Sequence, residues 1–159
     1  MKYLAIMILF LQSCISEKPI SITEFSTYTY PISTTISLGK ERIYYNNLFL
    51  VSNFRNNKKV ELSIDSFVVK YTSDNCYSAN TDEIRLYFYK ETSKTNLTEI
   101  KKNPREVDRY SDRHDLVYCY IIKLDGSKVR EKYKNGEVIE TTEKFSKLPR
   151  FKITDFRAY

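Results

Sequence analysis

The chain has little of what common active sites are built from. Three glycines in 159 residues leave no Gly-rich phosphate loop and no nucleophile elbow. His114 is the only histidine, and neither it nor the cysteine spacing offers a zinc set. The three cysteines include no Cys-x-x-Cys. Tryptophan is absent. The apolar run Leu4–Leu11 is eight residues long, far short of the ~20 needed to span a bilayer as a helix. These absences remove nucleotide-, zinc- and thiol-redox-dependent catalysis. The chain therefore reads as non-enzymatic, with no cofactor and no metal.

What is present is aromatic and basic. Apolar residues make up 42%, and 14 Tyr and 9 Phe argue for a folded chain. The first residues have a signal-peptide anatomy: Lys2 as a positive start, then Leu4–Leu11, then Leu11-Gln12-Ser13-Cys14. Leu11, Ser13 and Cys14 resemble the lipobox of bacterial lipoproteins. Gln12, and the Gly-poor, Tyr/Asn/Lys-rich body, resemble the relaxed form seen in Bacteroidota. The resemblance implies cleavage before Cys14, a diacylglyceryl group on its thiol and acylation of its amine. Two or three acyl chains suffice for stable anchoring. The resemblance also implies a lipid-anchored protein of the cell envelope. Ile15 in place of aspartate gives no signal for inner-membrane retention, so the outer membrane is expected, on its periplasmic or surface face.

The expected organisation is a signal peptide over 1–13, a lipidated Ser/Thr-rich tether over 14–40, and one domain over 41–159. The 146 residues left after cleavage suffice for one core. Net charge is +6 for the precursor and +5 without Lys2. Outside the cytoplasm, that balance suits anionic headgroups, lipopolysaccharide or an acidic protein rather than nucleic acid. Cys76 and Cys119 remain as an even pair. An oxidising compartment permits a disulfide between them, and two buried thiols that never meet are the equal alternative.

The tether segment holds ten Ser or Thr, yet Ile20, Ile22, Phe25, Tyr28 and Tyr30 predict that part of it lies on the domain as an edge segment. Leu48-Phe49-Leu50-Val51 has strand chemistry, and Asn56-Asn57-Lys58-Lys59 reads as a turn. From Val60 the spacing of Leu62, Ile64, Phe67, Val68 and Tyr71 predicts a helix ending at Ser73-Asp74-Asn75. Thr81–Lys90 alternates, with Ile84, Leu86 and Phe88 on one face and Arg85, Tyr87 and Tyr89 on the other. Asn96 with Glu99, and then Pro104, predict two short helices or one broken helix between Leu97 and Tyr110. Leu116–Leu124 is apolar on both alternating sets and predicts a central strand. Asp125-Gly126 and Asn135-Gly136 predict hairpin turns. The tail from Phe145 predicts a last strand or arm. Tyr133-Lys134-Asn135-Gly136-Glu137 resembles one unit of Tyr-x-Asn-Gly β-repeat proteins, but it occurs once, as a hairpin does. The fold class expected is α+β: a mainly antiparallel sheet of four to six strands with one or two helices on one face.

Two patterns are candidates for a binding surface. One is the tyrosine faces, Tyr87 with Tyr89 and Tyr118 with Tyr120, because tyrosine joins contact area to a polar tip. The other is the basic turn Arg55-Asn56-Asn57-Lys58-Lys59, of which Lys58 and Lys59 carry the charge-reversal test; Lys101, Lys102 and Arg105 form a second basic group. The polar run Asp108–Asp115 contains Tyr110, Ser111 and His114. It permits a small periplasmic hydrolase using His114 as the alternative. A purely structural envelope lipoprotein is the third reading. The leading one is a lipid-anchored, non-catalytic binding or protective, immunity-like module, reaching the membrane through its anchor and capturing an acidic protein or anionic envelope component.

Overall fold

A computed structural model of the chain describes residues 18–32, 42–78, 81–93, 95, 113–123, 125–143 and 152–154. Within them the strands are β1 Ser21–Ile32, β2 Arg42–Ser52, β3 Cys76–Ser78, β4 Thr81–Lys90, β5 Leu116–Lys123, β6 Lys128–Lys134, β7 Glu137–Glu143 and β8 Lys152–Thr154. A single α-helix among the described residues, α1, spans Lys58–Asp74. The sheet order is β1-β2-β4-β5-β6-β7, and β3 pairs separately with β8. Only β2 and β4 run parallel within the large sheet; the four other pairings are antiparallel. The protein is thus α+β, with a six-stranded, mostly antiparallel sheet and one α-helix among the described residues, as the pattern of elements predicts.

Local chemistry explains each boundary. Asn57 caps α1 by accepting the Val60 N–H at 3.0 Å. Asn75 closes the other end: its backbone N–H reaches the Tyr71 carbonyl at 3.1 Å and its side-chain amide reaches the same oxygen at 2.8 Å. Gly136 (φ +83°) and Asn135 (φ +53°) supply the left-handed pair that a tight β6–β7 turn needs. Gly126 (φ +88°) serves the β5–β6 turn. β1 takes up residues expected in the tether, pairing antiparallel with β2 as the sheet's edge.

The core lies between α1 and one sheet face. Ile84, Leu86 and Phe88 of β4 and Tyr118, Tyr120 and Ile122 of β5 meet Val60, Ile64 and Val68 of α1. Phe49 stacks on Phe88 at 5.0 Å and meets Phe67 and Tyr71 edge-on at 5.1 and 5.0 Å. Leu62, expected on the packed side, is half-exposed, because a residue two positions from Ile64 points to the far side of a helix. The helices expected between Leu97 and Tyr110, and Cys14, lie outside the described residues.

Candidate functional site

Two chemically opposite regions flank α1. On its β5–β6 side, Arg130 is buried and opposed by three carboxylates. Its guanidinium donates to Glu61 at 2.9 Å, to Asp65 at 3.4 Å and to Glu140 at 3.3 Å, and to the Thr142 hydroxyl at 3.2 Å. Cross-strand register places Arg130 opposite both Tyr120 and Thr142. The Tyr120 hydroxyl donates to Asp65 at 2.6 Å. Burial pushes the Tyr120 phenol up, and the Asp65 carboxylate it serves adds to this, so the phenol stays protonated and donating. Burial alone would raise the Glu61 carboxyl. The hydrogen bond from Lys58, and the charge and hydrogen bond of Arg130, outweigh it and hold Glu61 below its ordinary value. Glu61 is ionised and paired, which is a stabilising arrangement and not that of a general acid.

The sheet face away from α1 carries Tyr87 and Tyr89. Both are half-buried and pack against Leu48, and Phe25 meets the Tyr89 ring edge-on at 6.0 Å. Burial raises the Tyr87 phenol above its ordinary value, opposed by the hydrogen bond from Arg85. Arg85 also pairs with the buried Glu83. Cys119 lies on this face, opposite Tyr87, and burial pushes its thiol up, with Glu131 adding to it; it is a packed, unreactive thiol. Cys76 is exposed beyond the α1 C-terminus, and both thiols are free. No disulfide joins the two in the structure: Cys119 sits inside a central strand of the sheet, and Cys76 begins the separate β3–β8 pair.

On the other side of α1 runs an open groove of about 550 Å³. Four cations line it: Lys18, Arg55, Lys59 and Lys70. Its apolar lining is Ile20, Ile22, Val60 and Phe67. No acidic side chain among the described residues lines it. Ser63 and Ser66 lie between Lys59 and Lys70 on α1, and their hydroxyls turn back to the Lys59 and Leu62 carbonyls at 3.0 and 2.9 Å. These small side chains keep the groove open. Asn53, in the left-handed region at φ +55°, donates its side-chain amide to the Pro19 carbonyl at 3.0 Å. That bond fastens the lead-in to β1 against the β2–α1 connection and makes one wall of the groove.

No known protein family, curated protein or solved structure matches the chain.

The residues singled out in the sequence separate on this frame. Lys59 lines the groove with Arg55, whereas Lys58 turns to Glu61 at 2.5 Å. Tyr87 and Tyr89 lie on the sheet face away from α1, so the two halves of the expected binding surface do not combine. Tyr118 and Tyr120 are fully buried beneath α1 and present no recognition face. His114 is exposed in the 3₁₀ turn Arg113–Asp115, and Asp115 pairs with Lys90 at 3.7 Å. Asp108, Tyr110, Ser111 and Asp112 lie outside the described residues, as do Lys101, Lys102 and Arg105. No group of three metal-ligating side chains occurs among the described residues. Sequence reasoning missed Lys18 and Lys70 as groove residues and the Arg130 cluster altogether. The signals available were an Arg in an alternating strand and acidic residues on the packed side of a helix.

Proposed function

We propose that this protein is a lipid-anchored, non-catalytic binding module of the bacterial cell envelope. Its domain engages an anionic partner through the groove between β1 and α1. The observation that carries this reading is the groove itself: four cations over an apolar lining, with no acidic side chain among its described lining residues. A folded domain ordinarily intersperses charges of both signs, as the Arg130 cluster does, so a concavity lined by side chains of one sign suits an anionic ligand. The lipobox resemblance at Leu11–Cys14 supplies the address.

Intact mass of the protein recovered from its host's membrane fraction tests the anchor. The expected species begins at Cys14 and carries added acyl mass. A full-length, unacylated chain in the soluble fraction overturns the anchoring. His114→Ala tests the non-catalytic half. It is expected to leave the protein's cellular role intact, and loss of that role with unchanged stability would favour the hydrolase.

A further inference from the structure

We infer that the groove's occupant is the anionic lipid surface to which the protein is tethered, so that the domain lies docked on its membrane through the β1–α1 side. This rests on the anchoring proposed above and adds an orientation and a ligand class to it. Three observations converge.

The first is position. Lys18 and Pro19 form part of the groove and lie four and five residues from Cys14. Four residues reach at most about 14 Å when fully extended. An acylated Cys14 sits at the headgroup level, so the groove's own wall cannot move more than that from the lipid. Headgroups are therefore present at the groove at high effective concentration, whereas an acidic protein must find it by diffusion.

The second is the spread of charge. Lys59 and Lys70 lie eleven residues apart on α1, which is about 16 Å along the axis at 1.5 Å per residue. No single phosphate can meet both. The lysines and Arg55 are exposed side chains along an open trough, not donors converging on one point. A row of headgroups satisfies that spacing where one soluble anion cannot.

The third is the amphipathic lining. Ile20, Ile22 and Phe67 are half-buried between the cations. Apolar side chains flanked by long basic ones suit the boundary between headgroup and acyl chain, where lysine stems cover apolar surface and the ammonium reaches phosphate.

Lysine footprinting of the protein purified from membranes reads this directly. The protein is placed in vesicles of pure phosphatidylcholine, or of phosphatidylcholine with phosphatidylglycerol, and labelled with an amine-reactive reagent. A cation near an anionic leaflet gains about five-fold in association. Lys18, Lys59 and Lys70 are therefore expected to label roughly five-fold more slowly on the phosphatidylglycerol vesicles. Lys123 and Lys134, exposed at opposite ends of the β5–β6 hairpin, are expected to change little. About 1 M salt, with a screening length near 3 Å, should erase the difference. In K59Q/K70Q, whose substitutions are both at exposed sites, the phosphatidylglycerol-specific slowing of Lys18 should shrink, since only Arg55 and the tether still hold the groove at the lipid.

Equal labelling of the groove lysines on both vesicles overturns the inference. Protection that appears only in native envelope membranes, and on neither vesicle, assigns the groove to an acidic protein and also overturns it. The intact mass of the same preparation reads the anchor separately. An unacylated chain that keeps phosphatidylglycerol-specific protection removes the tether but supports the lipid-binding groove. An unacylated chain without that protection defeats both proposals.

Discussion

Lys58 and Lys59 are neighbours in sequence and opposites in the fold. Lys58 reaches Glu61, whose other partner is the buried Arg130, and so joins a network in which each buried charge meets its complement. Lys59 lines a trough beside Lys70, Lys18 and Arg55, and no acidic side chain is among the described residues that line it. A helix turns about 100° per residue, so adjacent positions serve different surfaces. Burial forces neutralisation on one side, since an unpaired charge in the interior is costly. Exposure permits accumulation of one sign on the other, where water screens the repulsion. A concentration of like charge that folding does not require is the better guide to function.

The comparison breaks most visibly at Arg130. Arg130→Met keeps much of the side chain's volume and removes the buried cation that Glu61 and Asp65 share, leaving Glu61 only the exposed Lys58. Breaking a buried pair in this way typically costs about 3–5 kcal/mol. Urea unfolding followed by far-ultraviolet dichroism should show that loss as a lower midpoint. A cost below about 1 kcal/mol would mean that this side of α1 is as solvated as the groove, and the contrast would vanish.

Tyr120→Phe comes next. The ring is fully buried and keeps its packing against Phe88, whereas the hydroxyl's bond to Asp65 disappears. A hydrogen bond to a charged group contributes about 1.5–3 kcal/mol, so a destabilisation in that range is expected in the same unfolding assay. In an Arg130→Met background the two effects should be non-additive, because both act on Asp65.

Much of this architecture was legible in the sequence because its signals are local. The alternation in β4, the double apolar set in β5 and the two hairpin dipeptides each depend on residues within ten positions of one another. The C-terminal end of α1 was legible at Ser73-Asp74-Asn75, whereas Lys58 and Lys59, read as part of a turn, form its first turn behind the Asn57 cap. The functional surfaces were not. Arg130 lies 69 residues from Glu61, and no periodicity announces a partner at that distance. The groove is assembled from the lead-in to β1, the β2–α1 connection and one stripe of α1, three segments that only the sheet's register brings together. Tyr118 and Tyr120 could not be assigned a face, because both alternating sets of β5 are apolar and either could have met the helix. The bridge between Cys76 and Cys119 depended on the same three-dimensional placement.

Acid should separate the two sides of α1 by a smaller effect. Glu61 is held below its ordinary value in the folded state, so it binds fewer protons folded than unfolded. Its contribution is present above the unfolded carboxylate value, near 4.3, and is lost as pH falls through and below that range. Stability should therefore decline from about pH 5 downward. Glu61→Gln should flatten part of that decline while lowering stability at neutral pH. Midpoints measured from pH 7 to pH 3 check both. An unchanged slope in the variant would show that other carboxylates carry the acid sensitivity.

The smallest stability effect belongs to the substitution that matters most for the proposed role. K59Q/K70Q removes two positive charges from a surface where Lys18 and Arg55 remain. Both positions are exposed, and Gln has nearly the helix propensity of Lys, so packing and backbone preference are almost unchanged. What changes is repulsion among like charges, screened over about 8 Å at physiological salt. The expected shift in unfolding free energy is within about 0.5 kcal/mol and, if resolved, stabilising. Its sign should fade as salt is raised. Function and stability would then oppose each other at the same residues, as happens where a surface holds a feature that folding alone does not select. A loss of more than about 1 kcal/mol would show instead that these lysines are structural. It would place both sides of α1 under one explanation, in which charge serves the fold and the groove is a by-product of it.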